Sequence, residues 1–218
     1  MNFYLLENKP RKDGKVPLST TREYLGCIVI NCAACSTRGV LHNSMHRKVD
    51  IEVKVRDIAG LEDIESAGTN TLVSAKFRDA VKEANLTGLE FYPILGYKTK
   101  GRKQGYQEMI RLCREEFQFK AVYVTGKGGS IAQTSGVQLV KSCDVCGWRE
   151  WTLPEHGIVI DESQWDGSDF FLLEDMGGVY MTERAAKVLD QADLSNFFAQ
   201  LTTDYRPGKL PNYTIKKY

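Results

Sequence analysis

Leu72-Val73-Ser74-Ala75-Lys76-Phe77-Arg78-Asp79-Ala80-Val81-Lys82-Glu83-Ala84-Asn85-Leu86, followed shortly by Leu89-Glu90-Phe91, is the stretch that decides the fold. Phe77, Ala80, Val81 and Ala84 recur at the 3.6-residue period and line one face of a helix of about three turns. Ser74 stands at the N-cap position, where a short hydroxyl side chain accepts from an otherwise unpaired N–H of the first turn. The apolar segments on either side read as short strands. The same pattern returns 108 residues later as Tyr180-Met181-Thr182, a helix from Glu183 to Leu194, and Phe197-Phe198. There Thr182 takes the cap position, and Ala185, Val188, Leu189 and Ala192 form the apolar face. An internal repeat of this kind makes two related strand–helix–strand halves the expected architecture.

The cysteines repeat with nearly the same displacement. Cys32-Ala33-Ala34-Cys35 and Cys143-Asp144-Val145-Cys146-Gly147 are offset by 111 residues. Two intervening residues let a tight turn aim both sulfurs at one ion, and a following glycine permits the positive φ such a knuckle uses. One pair alone says little; two pairs supply the four thiolates of a closed tetrahedral zinc site. A zinc ribbon places roughly 15–20 residues between its pairs, whereas 107 residues separate Cys35 from Cys143. Cys32, Cys35, Cys143 and Cys146 are therefore the expected ligands of a structural Zn2+ that clips the two halves together. Reduced, metal-free thiols are the alternative. A thioredoxin-like redox role is disfavoured, since neither pair follows a strand and opens a helix. Cys27 and Cys113 read as small buried hydrophobes.

With 218 residues, 42% of them hydrophobic and 26% charged, the chain can bury a real core, which excludes collagen-like, mucin-like and wholly disordered classes. No apolar run approaches the ~20 residues needed to span a bilayer. Met1-Asn2-Phe3-Tyr4-Leu5-Leu6-Glu7 lacks the basic opening of a signal peptide, so the expected location is cytoplasmic. Further strands are expected at residues 2–6, 24–30, 119–125 and 136–141, and over Val49-Asp50-Ile51-Glu52-Val53-Lys54-Val55, which alternates apolar and charged residues. Tyr106, Met109, Ile110, Cys113 and Phe117 fall at helical spacing and predict a helix before Phe119. Residues 9–17 and 126–129 read as loops. Lys127-Gly128-Gly129-Ser130 lacks the spacing of a phosphate loop and reads as a hairpin turn. The fold expected is α+β, a single domain over 1–218. Its pseudo-repeat halves span about 24–95 and 136–201, joined by a zinc-ribbon-like site of four cysteines.

No catalytic set emerges. His42 and His46 lie four apart without the H-E-x-x-H pattern, His156 is isolated, and Ser135 and Ser168 lack a nucleophile-elbow context. The expectation is a protein that is not an enzyme. Charge is more informative. Glu150, Glu155, Asp161, Glu162, Asp166, Asp169, Glu174 and Asp175 are crowded into 150–175 without a lysine or arginine, interleaved with Trp151, Trp165, Phe170 and Phe171. Carboxylates steer the encounter with a basic protein and aromatic side chains anchor it. Asp161, Glu162, Trp165, Asp166 and Asp169 are the candidate partner contacts. Lys98, Lys100, Arg102 and Lys103 form a short basic stretch suited to nucleic acid. A net charge of +1 weighs against that alternative, a nucleic-acid-binding zinc-ribbon regulator.

The two separated C-x-x-C pairs, together with Val159-Ile160-Asp161-Glu162-Ser163-Gln164-Trp165-Asp166-Gly167-Ser168-Asp169-Phe170-Phe171 and Val179-Tyr180-Met181-Thr182-Glu183-Arg184, resemble the double-CXXCG-motif family of myxobacteria and related bacteria. The resemblance runs from Tyr24 to about Leu201; Ser36 stands where the family name implies glycine. It implies an immunity protein used in interbacterial competition. Such a protein binds and neutralises a cognate toxin or effector, encoded by an adjacent gene, through protein–protein interaction.

Overall fold

A computed structural model of the chain describes residues 1–9, 18–24, 28–36, 38–41, 50–67, 70–103, 106–114 and 117–208. The strands in chain order begin with β1 (Phe3–Asn8), β2 (Leu18–Tyr24), β3 (Ile28–Asn31), β4 (Arg38–Leu41), β5 (Asp50–Val55), β6 (Ile64–Ala67) and β7 (Asn70–Val73). β7 runs into helix α1 (Ala75–Glu83), followed by β8 (Leu89–Pro93), β9 (Leu95–Lys103), β10 (Tyr106–Arg111) and β11 (Lys120–Val124). Then come β12 (Gly126–Lys127), β13 (Leu139–Ser142), β14 (Arg149–Trp151), β15 (Phe170–Leu172), β16 (Val179–Thr182), helix α2 (Glu183–Gln191) and β17 (Phe197–Leu201). The class is mixed α+β, mostly strand, with two helices among the described residues. Neither helix is long and apolar enough to cross a membrane.

Both strand–helix–strand units form, and each wraps a third strand in the same way. β16 and β17 flank β1 in a five-stranded sheet ordered β12-β15-β16-β1-β17, while β7 and β8 flank β11 in a sheet ordered β6-β7-β11-β8. All four of these flanking pairings are antiparallel. The helix faces read from the sequence meet in one core: Phe77, Val81 and Leu86 from the first unit, Ala185, Leu189 and Leu194 from the second, with Ile64, Val73, Phe170 and Met181 beneath them. Phe77 is wholly buried, a placement that stabilises the fold by roughly 2–3 kcal/mol through removal of its ring from water. Val53 and Val55 of β5 alternate inward into a second cluster with Leu72, Phe117 and Ala121.

The caps of the two helices match. Ser74 Oγ accepts from Phe77 N at 3.3 Å and Thr182 Oγ1 accepts from Ala185 N at 3.2 Å. Each cap hydroxyl in turn donates to a carboxylate on the strand side of its own unit: Ser74 to Asp63 at 2.6 Å, Thr182 to Asp169 at 3.1 Å. Each carboxylate also reaches the other unit. Asp63 accepts from Ser195 N at 2.8 Å, and Asp169 from Thr87 N at 2.9 Å. The hydroxyls of the same two residues accept in return from Asp63 N and Asp169 N. Lys76 bonds the carbonyl of Asp193 and Arg184 that of Ala84, so a cation at the start of each helix closes on the end of the other. Charge-assisted bonds to backbone N–H groups are about twice as strong as neutral ones, which makes this exchange a substantial tie between the units.

Three local expectations are corrected. The helix expected before Phe119 does not form: Tyr106–Arg111 is strand β10, paired antiparallel with β9. Its few apolar residues fit either period, and pairing with the long β9 satisfies its backbone as strand. Residues 24–30 are not one strand, because β2 ends at Tyr24 in the sheet ordered β10-β9-β5-β2, while β3 belongs to a separate hairpin with β4. Gly126 and Lys127, expected within a loop, form a short strand parallel to β15, and Gly128 N continues to Leu172 O at 2.8 Å. A Cβ on Gly126 would stand 2.1 Å from the Phe170 carbonyl, so glycine is what admits this close approach. The loop expected at 9–17 lies almost wholly outside the described residues, as do Cys27, His42 and His46.

Candidate metal centre

Two hairpins deliver the cysteines. In β3–β4 the pair Asn31↔Arg38 closes the ladder, and in β13–β14 the pair Ser142↔Arg149 does so. The two connections are therefore equal in length, with cysteines at the same first and fourth positions. The backbone conformations agree too. Ser36 has φ 58° and Gly147 has φ 73°, each just after the second cysteine of its pair. The second knuckle is tightened by Gly147 N donating to Cys143 O at 2.7 Å and Cys143 N donating to Trp148 O at 2.9 Å. Lys141 lies over the Trp148 ring, 5.6 Å from its centroid.

Cys32 Sγ lies 3.7 Å from Cys143 Sγ, and Cys35 Sγ lies 3.7 Å from Cys146 Sγ. All four ligand atoms fall within 4.8 Å of one another. A tetrahedron with metal–sulfur arms of about 2.3 Å has edges of about 3.8 Å, so the cluster fits an ion such as zinc at its centre. Cys32 and Cys143 are buried, Cys35 and Cys146 half-buried, and none of the four is joined in a disulfide. Among the described residues this is the one cluster of three or more potential ligands. The Cys146 thiol is pushed up to about 12: the Trp148 backbone N–H favours its thiolate, but desolvation and bonds with the other three sulfurs outweigh it. Without a cation, then, the Cys146 thiol resists ionisation; a metal ion would supply the charge that lets it ionise. Four thiolates around one tetrahedral ion would leave no coordination position for substrate.

The acidic segment turns most of its charge outward. Glu150, Glu155, Glu162, Asp166 and Glu174 are exposed and Asp161 is half-buried. Two carboxylates face inward instead. Asp175 accepts from Ser130 Oγ at 2.6 Å and from Ile131 N. Asp169, expected as a partner contact, is buried in the exchange between the two strand–helix–strand units and paired with Arg184 at 2.8 Å. Its position follows from the cap hydroxyl and N–H groups it must satisfy. Trp165 is half-buried, edge-on to Phe3 at 5.3 Å, with its indole N–H donating to Ser168 O. Asp161 accepts from Ser163 and Gln164, and those bonds hold its carboxyl below the usual range. Partial burial raises Asp166, but bonds from Ser168 and the Lys127 N–H outweigh it and leave the carboxyl low. Glu162 accepts from the Met1 ammonium at 2.6 Å.

Elsewhere, Lys98, Lys100, Arg102 and Lys103 all lie along β9. His156 is exposed, 3.9 Å from Glu155. Cys113 is exposed rather than buried, because the residues before it form a strand and not a helix. The residues that sequence reasoning passed over are Asp63, Thr87 and Ser195. Thr87 and Ser195 stand at the same offset of 108 as the helices, and that correspondence was the signal. No protein-family model matches the chain, and a search of the curated proteins likewise gives no match.

Proposed function

We propose that this chain is a zinc-stapled immunity protein that binds and neutralises a cognate bacterial toxin domain. In this reading Cys32, Cys35, Cys143 and Cys146 hold a structural Zn2+ whose contribution is to fix the two hairpins against each other. The repeat units, with matched caps and reciprocal carboxylates, are two related halves, and the metal joins the hairpin that each half carries. The chain is not an enzyme in this reading; it acts in the cytoplasm by occlusion.

The observation that carries the binding role is the outward acidic strip. Glu150, Glu155, Glu162, Asp166 and Glu174 are exposed, and Leu153 and Val159 among them are 55% and 43% exposed. Leu139 of β13, opposite Trp151 of β14, is exposed beside this strip. Exposed apolar side chains interspersed with carboxylates along one segment suit the basic, phosphate-attracting active site of a nuclease-type toxin. The resemblance to the double-CXXCG-motif family supports the same reading.

Co-expression with the product of the neighbouring gene tests it. Rescue of growth and a stable complex are expected, and Leu153→Asp with Glu155→Lys should weaken that complex while the melting temperature holds. If the neighbour is harmless, or if no complex forms, the reading fails. A regulator using the lysines of β9 would instead bind DNA or RNA, with affinity falling steeply as salt rises.

A further inference from the structure

A concave site lies where the sheet holding β7, β11 and β8 meets the sheet holding β10, β9 and β5. It is a cavity of about 710 Å³, within the size range of small-ligand pockets. Four cations line it: Arg78 of α1, Arg111 at the end of β10, Arg114 just beyond, and Lys120 at the start of β11. None of its described lining residues is acidic. Arg111, Arg114 and Lys120 form no ion pair among the described residues, although the chain as a whole is nearly neutral. Among the described residues such a concentration of one sign focuses potential on an anion; Glu115 and Glu116, between Arg114 and Phe117 in the chain, lie outside them.

The cations are supplemented by a held guanidinium and an aromatic wall. Arg78 Nε donates to Ser74 O at 3.1 Å and its Nη2 to Gln118 O at 2.9 Å, which anchors the planar head and leaves Nη1 to a ligand. Phe117 and Phe119 stack with centroids 5.5 Å apart and planes 25° from parallel. Phe117 is buried, packed where a Cβ on Gly96 would stand 2.6 Å from its ring; Phe119 is half-buried and also lines the cavity. A flat heterocycle can extend such a stack while arginines take a phosphate beside it.

We propose that this cleft binds a nucleoside phosphate, its phosphate held by Arg78, Arg111 and Arg114 and its base against Phe119. The site is independent of the metal centre and of the acidic strip, so it stands whether or not a toxin is the partner. The nucleotide could be free or one unit of a single strand, and the test separates the two.

Calorimetric titration of the full chain with AMP, adenosine, inorganic phosphate and a short single-stranded RNA tests the proposal. AMP is expected to bind saturably, and adenosine and phosphate each at least about tenfold more weakly, since each lacks one half of the recognition. Arg111→Ala with Arg114→Ala, both exposed positions, should weaken AMP by at least about tenfold with an unchanged melting temperature. Phe119→Leu should weaken AMP while leaving phosphate binding unaltered. If RNA displaces AMP and binds more tightly, the same chemistry holds and a strand is its source. Absence of AMP binding, phosphate binding as tightly as AMP, or unchanged affinity in the double variant would overturn it.

Discussion

Distant segments of this chain are joined in two places by very different means. The strand–helix–strand units share a core containing Phe77, Leu189, Phe170 and Met181, and they exchange carboxylates and cap hydroxyls in both directions. The hairpins meet at sulfur. All four residues of β13 are exposed, and the described residues clustered at that junction are the four cysteines alone. A two-stranded ribbon is marginal in water without other support. The units are therefore held by burial that needs no metal, whereas the described contact between the two hairpins is sulfur against sulfur, with Trp151 of β14 also packed on the core around Ile158 and Phe171.

The largest expected effect comes from breaking the sulfur junction. Cys143→Ser should abolish stoichiometric metal, because a closed site worth on the order of 10 kcal/mol loses one of its four ligands. Amide exchange should then accelerate across β3–β4 and β13–β14 while α1 and α2 stay protected; uniform loss of protection would refute the division into two regions. Breaking the other junction should cost less but act globally. Asp169→Ala leaves Arg184 and the Thr87 N–H without their acceptor, and a loss of about 2–4 kcal/mol is expected in denaturant unfolding.

Asp63 is the more exposed counterpart, and Asp63→Asn should cost about 1 kcal/mol at neutral pH. Burial pushes its carboxyl up, but bonds from Ser74 and Ser195 outweigh that and hold it below the ordinary 3.8. A depressed carboxyl stabilises the fold above its unfolded value and ceases to as pH falls through the folded one. The gap between wild type and Asp63→Asn should accordingly close as the pH drops below about 4. A gap that widened in acid would contradict this.

The smallest effects compare the two knuckles. Ser36 and Gly147 occupy corresponding positions with φ 58° and 73°, but only one is a glycine. Ser36→Gly should stabilise the first hairpin by about 0.5–1 kcal/mol, and Gly147→Ala should weaken the second by a similar amount. Open space surrounds Gly147, so that penalty would be backbone strain alone. Both are readable as changes in the chelator concentration needed to strip the metal.

Much of this architecture was legible along the chain because it is written locally. The periodic faces of α1 and α2, the caps Ser74 and Thr182, and the two C-x-x-C pairs each lie within a few residues, and the structure brings the four cysteines together. What was not legible depends on distant pairing. Tyr106, Met109 and Ile110 suggested a helix until β9 offered them a ladder. Gly126 and Gly128 suggested a loop because nothing nearby showed the strand that approaches them from Phe170–Leu172. Asp169 looked like one more surface carboxylate of an acidic run; its burial is set by Thr87, 82 residues away. The basic cleft draws on Arg78, Arg111, Arg114 and Lys120 from separate elements, a cluster that only the fold assembles.

X-ray absorption at the zinc edge of the purified chain tests the central claim most directly. The account predicts one zinc per chain with four sulfur neighbours at about 2.3 Å and no nitrogen or oxygen in the first shell. Two or three sulfurs completed by lighter atoms, or a well-folded chain that takes up no zinc, would contradict it.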